Sequence, residues 1–295
     1  QNLFQKQQIV YTTALKKITF DGKHFTFASG VTLNRLIASL KSQENEALKK
    51  GGKHIGVIAN TQVRSAGTWA GNLLMATKYE NFPSDILLTL TALKARVTFF
   101  SWGGEVLTNL PVEVFVKNGE INKTCALMLF ATIEVPPQSP VPSSSFISNY
   151  QDPTVKQIVS RFKVTQRARN SHAHVNMFIS SMVRFTENQR PQILDVRLVI
   201  GGVTKSISIA AKTGKAMTSA CNGSLDKNNL DQTLQTFEDE IINDLKLNTG
   251  ANVSPKFLLT VAKGLLYKYY LNVNTISGSI NKYLGSGAIE SLPRA

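Results

Sequence analysis

Apolar and polar positions change period several times along the chain. From Lys17 to Phe27 they alternate, with Ile18, Phe20, Phe25 and Phe27 flanking Asp21-Gly22. Alternation around Asp-Gly predicts a hairpin. Leu33, Leu36, Ile37 and Leu40 then fall at helical steps, with Thr32 placed as the cap. Phe82 to Leu93 reads as partly helical. Val97-Thr98-Phe99-Phe100 reads as a strand ending at Trp102-Gly103-Gly104, and Cys125 to Val135 as a buried strand stopped by Pro136-Pro137. Further on, Ser160 to Val164, Val175 to Phe185 and Ile193 to Ile200 predict antiparallel strands. Gly201-Gly202 predicts a turn, and Val203 to Ile209 a short strand. Leu230, Leu234, Phe237, Ile241 and Leu245 mark an amphipathic helix. Ser254-Pro255 opens another, with proline at the first helical position, running through Leu258, Val261, Leu265 and Tyr269 to about Val273.

This order predicts an α+β first part, then antiparallel strands followed by helices. Residues 136–145, Pro-Pro-Gln-Ser-Pro-Val-Pro-Ser-Ser-Ser, have the composition of a linker. The expected organisation is 1–137, a linker over 138–152, a second domain over 153–273, and an irregular tail over 274–295.

Composition narrows the function classes. The chain has 295 residues, of which 42% are hydrophobic and 18% charged, a balance that excludes disorder. No apolar run reaches the roughly 18 residues of a membrane span, and Gln1 to Ile9 lacks the features of a signal peptide. A cytoplasmic protein is the expectation. Cys125 and Cys221 stand far apart and outside any Cys-x-x-Cys pair, so neither a zinc nor an iron–sulfur cage is expected from this chain. The net charge of +14 is compatible with nucleic acid, an anionic cofactor or an acidic partner domain. The basic clusters Lys49 to His54 and Arg161 to Arg169 lack interleaved aromatics, so no nucleic-acid binding is expected. His172 and His174 alternate without an evident third metal ligand, and His24 and His54 have no evident partners. No spacing suggests a catalytic nucleophile.

The stretch with most chemistry is Val63-Arg64-Ser65-Ala66-Gly67-Thr68-Trp69-Ala70-Gly71-Asn72-Leu73-Leu74-Met75-Ala76, followed by Phe82-Pro83-Ser84-Asp85. A small-residue turn with a Gly-Asn pair suits close backbone approach to a phosphorylated ligand. A tight packing turn is the plain alternative. The run has neither the Gly-x-Gly-x-x-Gly spacing nor the lysine of a P-loop.

Together with Ile58 to Ser65, this stretch resembles the flavin domain of the molybdenum hydroxylases, the xanthine dehydrogenases and aldehyde oxidases. The form Thr-Trp-Ala-Gly-Asn-Leu and the Phe-Pro-Ser-Asp spacing look nearest to the invertebrate aldehyde oxidase-like branch. Gly30-Val31-Thr32-Leu33, Ile133-Glu134-Val135-Pro136, Phe162-Lys163 with Arg167, and Leu265 to Leu271 extend the resemblance, in order, over most of residues 10–273. The fold it implies is a PCMH-type FAD-binding domain, incomplete at its N-terminus, followed by a CO dehydrogenase flavoprotein C-terminal-like domain.

The resemblance implies FAD as cofactor. Thr68, Gly71, Asn72, Leu74 and Met75 would line the flavin and its diphosphate. Ser84 and Asp85 would follow on the same face, and Leu129 with Phe130 would pack near the isoalloxazine or adenine. Lys163 would place a cation favouring the reduced, anionic flavin. Ile58 stands where many relatives have an aromatic. The parent protein would carry two 2Fe-2S clusters and molybdopterin in further domains, form a homodimer, and pass electrons through the flavin to O2 or NAD. The family's upstream Gly-Asn-Thr loop has no counterpart here, so a fragment of a larger oxidoreductase is expected. The alternative is a flavin-fold remnant without FAD, serving as a docking module.

Overall fold

The computed structural model describes residues 13–79, 82–135, 154–167, 171–187, 189–219, 224–249 and 253–276. The first lobe opens on the expected hairpin. β1 (Ile18–Phe20) and β2 (His24–Ala28) pair antiparallel, with Phe20 opposite Phe25. Gly22 takes φ +90 at the turn, a region open to glycine. Five helices follow: α1 (Leu33–Lys41), α2 (Glu46–Ile55), α3 (Thr61–Ala66), α4 (Trp69–Lys78) and α5 (Asp85–Ala92). Each begins on a side-chain cap. Thr32, Asn45, Asn60, Thr68 and Ser84 in turn accept from the backbone N–H three residues on, which satisfies a donor the first turn leaves unpaired.

The lobe is completed by a hairpin of β3 (Arg96–Ser101) and β4 (Val106–Pro111), by α6 (Val112–Lys117) and α7 (Gly119–Thr124), and by β5 (Cys125–Glu134). β5 inserts between β2 and β3, giving the antiparallel order β1-β2-β5-β3-β4.

The second lobe is a sheet of β6 (Val155–Thr165), β7 (Ala173–Arg184), β8 (Gln192–Gly201) and β9 (Ser208–Ile209), antiparallel and in that order. Behind it lie α8 (Ala211–Ser219), α9 (Lys227–Asp239) and α10 (Pro255–Ile276). α9 continues into a π-helical turn, Glu240–Asp244.

β7 fixes how the two lobes meet. Side chains alternate across a strand, and this one is buried on both faces. Phe178 joins the first lobe's core, as do Val159 of β6 and Val199 of β8. Met177 and Ile179 join a second core with Phe237, Leu258, Leu266 and Tyr269 of α9 and α10. The sheet is therefore a middle layer, with α2 and α5 on one side and α8 to α10 on the other. Arg197 on β8 adds a polar tie, donating to the Thr91 carbonyl at 2.8 Å and to Glu113 at 3.0 Å.

Several expectations need correction. Gly71-Asn72 is not a turn but part of the first turn of α4. The chain reverses just before it, at Gly67-Thr68, where Gly67 ends α3 and Thr68 caps α4. The basic run Lys49 to His54 lies within α2. Its glycines are packing positions: a Cβ on Gly51 would come 3.0 Å from Leu93 Cδ1, and one on Gly52 3.0 Å from Leu40 Cβ. Helices α6, α7 and α8 and strand β4 had no sequence counterpart. Of the strand expected over Val203 to Ile209, only Ser208–Ile209 forms. The linker over 138–152, Cys221 and the tail beyond Ile276 lie outside the described residues.

Candidate functional site

The site begins where α4 meets the first sheet. Trp69, the first helical residue of α4, is fully buried. Its ring meets Phe27 edge-on at 5.1 Å, and its indole N–H donates to the Ala28 carbonyl at 2.8 Å. Ala28 is the register partner of Phe130, and the Leu129 carbonyl accepts from Ser29 N at 2.9 Å. A buried tryptophan thus pins the N-terminal end of α4 to the end of β2, whose neighbour Phe130 lies across the sheet on β5.

That end of α4 is exposed and capped. Thr68 Oγ1 accepts from Gly71 N at 3.1 Å. A Cβ on the exposed Gly71 would meet only Thr68 Oγ1, at 3.3 Å, so the solvent side of the first turn is open to a ligand's approach. Helix N-termini present N–H donors and the positive end of the dipole. One turn on, Leu74 is 37% and Met75 43% exposed, and on β5 Phe130 is 37% exposed. These side chains offer apolar surface beside the polar helix end.

Asn72 carries the site to α5. Its Oδ1 accepts from Ser84 Oγ at 2.6 Å, which leaves the amide –NH2 to donate elsewhere. Ser84 is also the cap of α5, accepting from Leu87 N at 2.9 Å. The next residue, Asp85, turns inward and is 6% exposed. Its Oδ2 takes Lys163 Nζ at 2.6 Å and its Oδ1 takes Asn176 Nδ2 at 3.0 Å. Lys163 and Asn176 are register partners on β6 and β7, so the pleat presents both on the face that meets α5.

His54, at the end of α2, completes the cluster. It is wholly buried, edge-on to Phe178 at 6.1 Å. Its Nε2 lies 3.4 Å from Asp85 Oδ1, off the line of a hydrogen bond. Its Nδ1 has no hydrogen-bond partner among the described residues. Burial works against the charge on Asp85. The His54 and Lys163 contacts outweigh it and hold the carboxyl at about 2, below its ordinary 3.8.

The sequence-derived residues therefore divide into two groups. Thr68, Gly71, Asn72, Leu74 and Met75 lie at the cap and first turns of α4, and Leu129 and Phe130 lie on β5 beside the end of β2 that Trp69 holds. Ser84, Asp85 and Lys163 form the junction between the lobes, with Asp85 and Lys163 held by each other. Sequence reasoning missed His54 and Asn176. Other motif residues are structural: Arg64 donates to the carbonyls of Ile58 and Ala59, closing the loop before α3, and Ile58 packs against the first core. His172 meets Phe82 edge-on, with ring centroids 6.0 Å apart.

Residues 1–138 match the model of the FAD binding domain in molybdopterin dehydrogenase. The match covers just under half of the chain. Aldehyde oxidase 4 of Arabidopsis thaliana is 31% identical over 113 residues, which are 35% of this chain and 8% of that protein. Indole-3-acetaldehyde oxidase of the same plant is 30% identical over 117 residues, 39% of this chain and again 8% of its relative. The alignments thus span about a twelfth of these plant relatives.

Among solved structures, quinoline 2-oxidoreductase from Pseudomonas putida 86 superposes with a TM-score of 0.64. The match covers 92% of this chain and 81% of that one at 14% identity. Carbon monoxide dehydrogenase from Hydrogenophaga pseudoflava gives 0.62, covering 90% and 79% at 15% identity. The mixed α and β fold is thus shared along most of this chain.

Proposed function

We propose that this chain is the FAD-binding, electron-transfer module of a molybdenum-containing oxidoreductase of the aldehyde oxidase and xanthine dehydrogenase type. The observation that carries this reading is the continuous polar path from the Thr68-capped end of α4, through Asn72 and Ser84, to Asp85 and Lys163. Most of that path lies in the segment matched by the FAD domain.

The residues fit the cofactor. Bound here, FAD supplies two-electron chemistry on its isoalloxazine ring. The first turn of α4 binds the diphosphate, with Gly71 admitting close approach. The Asn72 amide group, oriented by Ser84, donates to the ligand. Leu74, Met75 and Phe130 cover apolar ring surface, and Leu129 backs it from β5. Lys163 places positive charge near the ring and favours its reduced, anionic form, while Asp85 tempers that charge. The excess of 33 Lys and Arg over 19 Asp and Glu suits an anionic cofactor.

In the parent protein, electrons reach this module from molybdopterin through 2Fe-2S clusters on neighbouring domains and leave to O2 or NAD. The parent acts as a cytoplasmic homodimer without nucleic-acid or membrane partners. Among the described residues, no helix is long and apolar enough to cross a membrane.

Gel filtration after incubation with FAD tests the site. Flavin co-elutes with the wild-type chain, and Asn72→Leu weakens retention at least about tenfold, a loss typical of one ligand hydrogen bond that leaves its partners unpaired. Equal retention by both proteins would contradict this placement.

A further inference from the structure

His54 and Asn176 were invisible to sequence reasoning, and both aim at one carboxylate. We propose that they are positioning residues for Lys163, acting through Asp85: they fix the carboxylate, and the carboxylate fixes where the ammonium sits. The proposal rests on the FAD reading only for what the ammonium then does.

Asp85 has three polar neighbours that orient it, from three different elements. Lys163 Nζ lies 2.6 Å from Oδ2, Asn176 Nδ2 3.0 Å from Oδ1, and His54 Nε2 3.4 Å from Oδ1. The division of labour is spatial. Asn176 and His54 share one oxygen and leave the other wholly to Lys163. A carboxylate held at one oxygen cannot swing, so its free oxygen marks a fixed place for the lysine.

The surroundings are rigid. The side chains of His54, Asp85 and Lys163 are 0%, 7% and 9% exposed, and Asn176 is fully buried. Gly201 serves the same end, because a Cβ there would overlap Asn176 Oδ1 and Ile207. Gly202, at φ +81, abuts the His174 backbone. The Gly201-Gly202 pair, a turn in the sequence reading, thus seats the asparagine that orients Asp85.

A purely structural cluster has no need of a histidine with both ring nitrogens outside normal hydrogen bonds. Such a group leaves desolvation uncompensated. Here the contact it does make is to the carboxylate that governs the lysine.

The arrangement fixes the sign of two effects. Removing the Asp85 charge frees the Lys163 ammonium and raises the flavin midpoint potential. Removing His54 leaves the full carboxylate charge to Lys163, so less positive charge reaches the ring and the potential falls.

The test uses the full chain with His54→Leu, His54→Gln, Asp85→Asn, and Lys163→Met combined with His54→Leu. Two readouts are taken on variants whose circular dichroism matches wild type. The first needs no flavin: acylation of Lys163 by a small anhydride, followed by mass spectrometry. Its rate rises about tenfold in Asp85→Asn, the worth of a charge-assisted bond. It falls several-fold in His54→Leu, where Lys163 alone meets the second oxygen's charge, and returns towards wild type in His54→Gln, whose amide takes up the contact with Asp85 Oδ1. The second readout is the midpoint potential of bound FAD, lowered by His54→Leu, restored by His54→Gln, and indifferent to His54→Leu once Lys163 is methionine.

Equal Lys163 reactivity in wild type and His54→Leu, or a potential shift that survives Lys163→Met, overturns the proposal. If Lys163 reactivity shifts as stated but wild type takes up no FAD, the positioning stands and the functional reading fails. Should His54→Leu not fold, Gly201→Ala displaces Asn176 and carries the same expectation for Lys163 reactivity. Unchanged reactivity there is equally fatal.

Discussion

Two residues show how conformation and chemistry separate. Gly71 is exposed in the first turn of α4, where alanine would be the better helix former by roughly 1 kcal/mol. Gly71→Ala should therefore leave thermal stability unchanged or raised, yet weaken FAD binding by about tenfold or more because the methyl blocks close backbone approach. Paired melting curves and FAD titrations check this, and a variant that binds FAD as wild type does would sink the assignment of Gly71. Asp85 behaves oppositely, since its carboxyl is held at about 2 against an ordinary 3.8. A depressed carboxylate contributes stability that is fully present above the unfolded value and is lost as pH falls through the folded one. The loss accordingly runs from about pH 4 down to about pH 2 and amounts to about 2 kcal/mol. In denaturant titrations across that range, Asp85→Asn should flatten the profile. An unchanged slope would show that the ion pair with Lys163 does not form in solution.

Among the elements, α4 is decided by tertiary contact rather than propensity. Trp69→Ala should cost about 3–5 kcal/mol through the lost core volume. Trp69→Phe should cost about 1 kcal/mol by removing the indole hydrogen bond to the Ala28 carbonyl, which keeps the Val31 N–H as a donor. Chemical denaturation ranks the two, and equal costs would argue against the indole hydrogen bond. The same dependence explains what the sequence concealed. Leu33 to Leu40, Leu230 to Leu245 and Leu258 to Tyr269 declare their helices because one apolar stripe faces one core. α2 hides behind Gly51-Gly52, a pair that reads as a breaker but lets α2 pack against Leu40 and Leu93. In the motif, Gly71 reads as a turn because glycine is a poor helix former, whereas Thr68 and the buried Trp69 commit it to a helix. The resemblance singled out Thr68, Gly71, Asn72, Ser84, Asp85 and Lys163, but not that Asp85 and Lys163, 78 residues apart, would meet. His54 and Asn176 escaped because nothing local distinguishes a core histidine from one beside a carboxylate.

At the scale of the molecule, two antiparallel sheets and their helices share an interface whose polar ties are few and specific. Arg197 joins β8 to Thr91 and Glu113, and Lys163 with Asn176 joins the second sheet to α5. Arg197→Ala strands Glu113 and the Thr91 carbonyl together. It should lower stability by about 1–3 kcal/mol in urea denaturation, with FAD affinity nearly unchanged because the hydrogen bonds of Arg197 go to α5 and α6, not α4. A variant that loses FAD first would mean that the lobe junction, not α4, holds the ligand. The central claim is that this chain itself holds FAD against the α4 end of its first lobe. Equilibrium dialysis of the chain against FAD tests it most directly. The account predicts saturable binding at one FAD per chain, abolished together by Gly71→Ala and Asn72→Leu. FAD distributing equally across the membrane, at any protein concentration, would contradict it.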